Sequence, residues 1–167
     1  IQRWSGTGAG PRSLEQQITA RRRRRRRVTP DVNVLVAASR ADHPHHATAR
    51  DWLESVLADR GRLTLLPTVT ASFLRLVTHP KVFVEPTPLD AALDFIEVVR
   101  QAAAVAGRTP DEWPQLKDLG QRHQLRANDL PDAWIAAQVQ VRGLVLVTFD
   151  RDFVKLLPAE RLQLLSA

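Results

Sequence analysis

The sequence predicts an α/β domain in which a mostly parallel sheet is covered by helices. Three observations carry that expectation. From Val28 onward, short apolar runs alternate with stretches whose apolar residues recur at helical spacing. Asp31, Asp132 and Asp150 each stand where a strand-like run begins or ends or where a helix-like stretch starts, the places at which ligands gather in open α/β sheets. The stretch Val36–Asp42 after the first apolar run contains no Gly, so the glycine turn of a dinucleotide-binding fold is missing.

The elements follow in order. Val32–Ala37 is a continuous apolar run with one Asn and reads as a buried strand. Pro44–Ala58 reads as a helix with Trp52, Leu53, Val56 and Leu57 on one face, and Leu63–Leu66 as a second strand. Val69–Val77 reads as a short helix that ends before Pro80. Pro88–Ala106 reads as a long helix, opened by a Thr87/Asp90 capping pair and ended by Gly107, with Leu93, Ile96, Val99 and Ala103 facing inward. Pro114–His123 and Pro131–Val141 are two more helices. Leu144–Val147 is a third strand, and Leu162–Leu165 an edge strand.

The length of 167 residues suits one domain with its own core plus a tail. The net charge of +6 is misleading as a guide to the domain. Residues 1–27 hold nine Arg and one Glu, whereas residues 28–167 are mildly acidic. Basicity therefore does not make the domain a nucleic-acid binder; a local basic patch would be needed. Residues 1–27 show no apolar periodicity, and the Arg21–Arg27 run stays solvated or binds a polyanion. We expect a disordered tail that lies upstream of the true start rather than an RNA- or DNA-binding arm, with the domain spanning 28–167. Val28 is then expected as the start, since a GTG codon can initiate in bacteria. The absence of Cys excludes disulfides, thiolate metal sites and a Cys nucleophile. A signal peptide is not expected and no run reaches transmembrane length, so a cytoplasmic protein without membrane partners is expected.

Three pieces carry candidate chemistry. Asp31 and Asn33, two apart on the expected strand, share a face. Asn128-Asp129-Leu130-Pro131-Asp132-Ala133 places Asp132 in the first turn of a helix, where the dipole favours a carboxylate, with Asn128 or Asp129 as its cap. Thr148-Phe149-Asp150-Arg151-Asp152-Phe153 follows an apolar strand. Each alone is also what a cap or a solvated turn looks like. Brought together, the carboxylates repel unless a hard divalent cation with oxygen ligands neutralises them.

In this order and spacing the pieces resemble the PIN-domain ribonucleases, most closely the VapC toxins of bacterial toxin–antitoxin pairs. The resemblance runs through residues 31–38, 42–50, 73–83, 131–137 and 147–153 and covers essentially all of 28–167. It implies a three-layer fold with a mostly parallel sheet of about four to five strands flanked by helices. It also implies a metal-dependent endoribonuclease, an antitoxin partner that covers the acidic pocket, and a homodimer. The metal-binding, catalytic Asp residues of the family fall on Asp31, Asp132 and Asp150, with Thr148 beside the last. The pattern departs at one point. Many PIN nucleases carry a Glu early in the helix after the second strand, and Pro67–Arg75 holds no acid. Thr70, Ser72 and Arg75 are the residues available in its place.

RNA hydrolysis needs an activated nucleophile and neutralised phosphate charge. Mg²⁺ or Mn²⁺ held by Asp31 and Asp132 supplies both, with Asp150 binding the metal or orienting water. Asn33 and Thr148 are expected to fix the carboxylates by hydrogen bonds. Arg75 is a candidate either for contact with the scissile phosphate or for neutralising the Asp cluster, and His79 for RNA contact. His43, His45 and His46 lack a complete zinc ligand set and read as surface residues at a helix start. Trp52, Trp113 and Trp134 read as core or interface rather than base-stacking residues. The competing reading is a catalytically impaired PIN-fold binding module, motivated by the missing acid.

Overall fold

The structure, a computed structural model, describes residues 26–103 and 111–166. Of the Arg-rich tail only Arg26 and Arg27 fall within them, and the expected Gly107 stop lies outside. The described chain runs β1 (Val28–Pro30), α1 (Val32–Ser39), α2 (His46–Leu57), α3 (Pro67–Val77), α4 (Leu89–Ala102), α5 (Trp113–Arg122), α6 (Asp129–Val141), β2 (Val145–Thr148) and β3 (Leu162–Leu164). Two single-turn 3₁₀ segments, Arg151–Lys155 and Ala159–Arg161, lie between β2 and β3.

The sheet has the order β1-β2-β3 and both pairings are parallel. The register sets Pro30 beside Val147 and Thr148 beside Leu164. The sheet is narrower than expected. Leu63–Leu66 forms only an isolated parallel bridge, Leu63 to Val28, before Leu66 becomes the cap of α3. The edge strand over Leu162–Leu164 is present as predicted.

The expected strand Val32–Ala37 is a helix, and the strand lies just before it. A continuous apolar run fits a buried strand and a buried helix equally well. Here Asp31 decides: it adopts an extended conformation, its Oδ1 accepts from Val32 N, and the chain turns into α1. Helix α1 then buries Val34, Leu35, Val36, Ala37 and Ala38. It does so because both sides are covered. Leu35 and Val36 join a core cluster with Phe73, Ile135 and Leu146, whereas Val34 and Ala37 join a second with Leu53, Leu63 and Val147. Successive β2 residues, Leu146 and Val147, thus feed opposite faces of the sheet.

Other helices stand near their expected positions, with corrections. Helix α3 begins at Pro67, whose missing N–H costs nothing at that position. Helix α4 has no side-chain cap; Thr87 Oγ1 instead accepts from Arg40 Nη1 at 3.1 Å. Its buried residues are Ala92, Ile96 and Val99, and Leu93 is exposed. Asn128 precedes α6 without a side-chain capping bond. Trp113 and Trp134 are exposed, which removes the core alternative and leaves the interface one. No described helix is long and apolar enough to cross a membrane.

Candidate active site

Three elements deliver the acidic residues to one place. Asp31 ends β1 and caps α1, Asp132 lies in the first turn of α6, and Asp150 follows β2. Because β1 and β2 are parallel neighbours, their carboxyl ends lie side by side. Asp31, Asn33, Asp132 and Asp150 line one cleft of about 360 Å³. Asn33 reaches it from the first turn of α1, not from a strand face; the site is built on a helix N-terminus.

Thr148, fully buried beneath this cleft, is the hub. Its hydroxyl donates to Asp31 Oδ2 at 2.7 Å. Its two acceptor positions take Asn33 Nδ2 at 3.0 Å and the Asp150 N–H at 2.9 Å. One hydroxyl has one proton and two lone pairs, so its capacity is filled. Asp31 is also held at its other oxygen by the Val32 N–H at 2.7 Å. Asp150 Oδ1 accepts from Asp152 N at 2.8 Å. The carboxylates are thus oriented by bonds that reach them from behind.

Burial pushes the Asp31 carboxyl above its usual range, opposed by the bonds from Thr148 and Val32 and reinforced by Asp150. Asp132 is pushed up to about 6, by burial first and then by Asp31, Asp150, Asp129 and Asp152. The site therefore resists carrying its full negative charge. Among the described residues no three His, Asp or Glu side chains close into a metal cage. An all-oxygen set that shares a cleft without enclosing it suits Mg²⁺, which takes one or two carboxylates and keeps several waters.

The other expected residues divide. Ser72 and Arg75 line the cleft from α3, on the side where the family's Glu was expected, whereas Thr70 Oγ1 donates back to Leu66 O at 3.2 Å. Among the described residues Arg75 makes no ion pair. His79 is not part of the cleft; its Nδ1 accepts from Lys81 N at 3.0 Å. His43 was read as a surface residue and lines the cleft. Nothing in the spacing Asp-His-Pro-His-His distinguishes that His from its neighbours.

This fold and site define the PIN class of nuclease-like domains, and the chain belongs to the PIN domain family, whose model matches residues 28–156. Its relatives within that family are VapC ribonucleases. It is 35% identical over 127 residues to ribonuclease VapC25 of Mycobacterium tuberculosis, covering 75% of this chain and 89% of that protein. It is 35% identical to ribonuclease VapC43 of the same organism, covering 75% and 86%. It is 33% identical over 130 residues to ribonuclease VapC48, also of Mycobacterium tuberculosis, covering 76% and 90%.

Proposed function

We propose that this chain is a divalent-metal-dependent endoribonuclease, the toxin of a toxin–antitoxin pair, acting on RNA in the cytoplasm through its domain 28–167. The convergence of Asp31, Asp132 and Asp150 on one cleft carries this reading. Asp31 and Asp132 would hold Mg²⁺ or Mn²⁺, and Asp150 would bind the same ion or orient water beside it. When bound, the cation supplies water activation and neutralises phosphate charge. Thr148 and Asn33 keep the carboxylate oxygens aimed at the cleft. The exposed apolar side chains of α4, Leu89, Leu93 and Val98, offer surface for an antitoxin and for a second copy.

The test is cleavage of RNA by antitoxin-free protein with Mg²⁺ or Mn²⁺, with and without chelator. Chelator-sensitive cutting is expected. No cutting with either metal favours the binding-module reading, which the non-acidic Ser72 and Arg75 face of α3 motivates.

Cation binding is also expected to reverse a pH effect. Both raised carboxyls keep a proton in the folded state that the unfolded chain has already released. The contribution of Asp132 to stability is therefore present at low pH and is lost as pH rises from 3.8 to about 6, and Asp31 acts in the same direction. Thermal melts of metal-free protein should show this loss. Mg²⁺ or Mn²⁺ should raise the melting temperature more at pH 7.5 than at pH 5. An equal rise at both values argues that the cation binds elsewhere.

Arg75 is proposed to contact the substrate phosphate. Arg75→Ala should raise KM for RNA about tenfold while lowering kcat less. It should also reduce the salt slope of binding by about 0.7, the loss of one single-strand phosphate contact. An unchanged slope removes Arg75 from the interface.

A further inference from the structure

The proposed nuclease mechanism gives no role to the one histidine of the cleft among the described residues. His43 lines the same cleft as Asp31, Asp132 and Asp150. Its backbone is fixed on both sides: its N–H donates to Arg40 O at 3.1 Å, and its carbonyl accepts from His46 N at 3.0 Å. The His46 ring anchors this loop in turn, with Nδ1 2.9 Å from Ala37 O at the end of α1. The His45 ring stacks on Phe149, next to Asp150, at 4.6 Å and 18°, and the His43 ring lies 5.6 Å from that of His45. The loop is thus tied to the end of β2 that bears the third carboxylate.

The ring's protonation follows from one contact. His43 Nδ1 accepts the backbone N–H of His45 at 3.1 Å. A backbone amide can only donate, so Nδ1 carries its lone pair and the proton of the neutral ring sits on Nε2. Burial, then the neighbouring His45, lowers the imidazole's proton affinity in the same direction. This arrangement opposes two roles. A general acid requires the imidazolium, and a metal ligand through Nε2 requires a bare nitrogen there. What remains is a single N–H donor, and no hydrogen bond among the described residues uses it. An uncharged donor can meet an anionic strand without first being captured as an ion pair by the three carboxylates. An RNA strand brings acceptors in its phosphate and ribose oxygens.

We propose that His43 is a substrate-binding residue whose Nε2–H donates to a backbone oxygen of the RNA strand in the cleft. The proposal rests on the nuclease reading and specifies how that site holds its substrate. Two substitutions separate the two ring nitrogens. In His43→Asn the side-chain oxygen can still accept from His45 N, but the distal donor is gone. His43→Gln restores an N–H donor near the Nε2 position.

Binding is read by anisotropy of a fluorescein-labelled single-stranded RNA of random sequence with Ca²⁺ as the cation, and cleavage with Mg²⁺. His43→Asn should bind RNA about tenfold more weakly and show a raised KM with kcat less affected. His43→Gln should recover most of both, with melting temperatures near wild type. Wild-type binding by His43→Asn, or a loss that His43→Gln does not recover in folded protein, overturns the inference. The nuclease reading then still stands if the wild type cuts RNA. No RNA binding by the wild type overturns both. Histidine-ring ¹⁵N resonances of the unmodified protein test it without any variant. They should report an Nε2-protonated His43 whose Nε2 signal moves on RNA addition; a proton on Nδ1, or an unmoved signal, overturns it.

Discussion

Asp132→Asn is expected to abolish RNA cleavage and at the same time to make the metal-free protein more stable at neutral pH. The two effects have one cause. Burial first, and then the neighbouring carboxylates of Asp31 and Asp150, push the Asp132 pKa up to about 6. At pH 7 its charge opposes the folded state, and an amide of the same shape removes that repulsion. In the proposed mechanism the same charge holds the cation. Residues that only orient metal ligands cost about 10–100-fold when lost, so a direct ligand should cost more than about a hundredfold. The check is an RNA cleavage assay beside a thermal melt in chelator. Retained cleavage by folded Asp132→Asn would remove this residue from the mechanism. Asp31→Asn should lose activity too, but without a gain in stability. Asn still caps α1, yet the NH₂ that replaces Oδ2 meets a Thr148 hydroxyl whose two acceptor positions are already filled by Asn33 Nδ2 and the Asp150 N–H. The contrast between two aspartates of one cleft tests the geometry as well as the chemistry.

Thr148→Val is expected to destabilise the protein by about 2–4 kcal/mol and to weaken metal binding about 10–100-fold. Val has nearly the same shape, so packing is kept and the hydroxyl alone is removed. Three groups then lose their partner: Asp31 Oδ2, Asn33 Nδ2 and the Asp150 N–H. Asp31 suffers most, because it is buried and must remain charged for metal binding. Thr148→Ser keeps the hydroxyl and should restore most of both properties. Denaturant melts and Mn²⁺ titration of the three proteins separate this network from a general packing defect. If Val and Ser behave alike, the hydroxyl is not the hub.

Much of this site was legible before the fold. Asp132 was marked by the Pro-Asp-Ala start of a helix, and Asp150 by the Thr-Phe-Asp that ends an apolar strand. Thr148 and Asn33 were expected to support the carboxylates; Thr148 Oγ1 donates to Asp31 Oδ2, and Asn33 Nδ2 donates to Thr148 Oγ1 rather than to a carboxylate. The route to Asn33 was misjudged, since Val32–Ala37 is a helix. That run is apolar on every side because helices and sheet cover it completely, so it has no periodicity by which to distinguish the two forms. Leu63–Leu66 misled for the opposite reason. Its residues are buried as a strand's would be, yet Pro67 starts α3 after a single bridge to β1. His43 and His79 show the limit most clearly. Each accepts a backbone N–H at Nδ1 from the residue two further on, and only one of them faces the carboxylates.

The order of apolar runs, the helix starts and the acidic residues at their ends are local properties, and the amino-acid sequence alone was enough to determine the α/β class and the family. Which side chains share a cleft depends on the parallel pairing of β1 with β2 and on how α3 and the His43 loop pack beside it. Those are contacts between residues distant in the chain. Burial at that meeting point then sets the carboxylates' affinity for protons and cations, and it has no counterpart in any single segment.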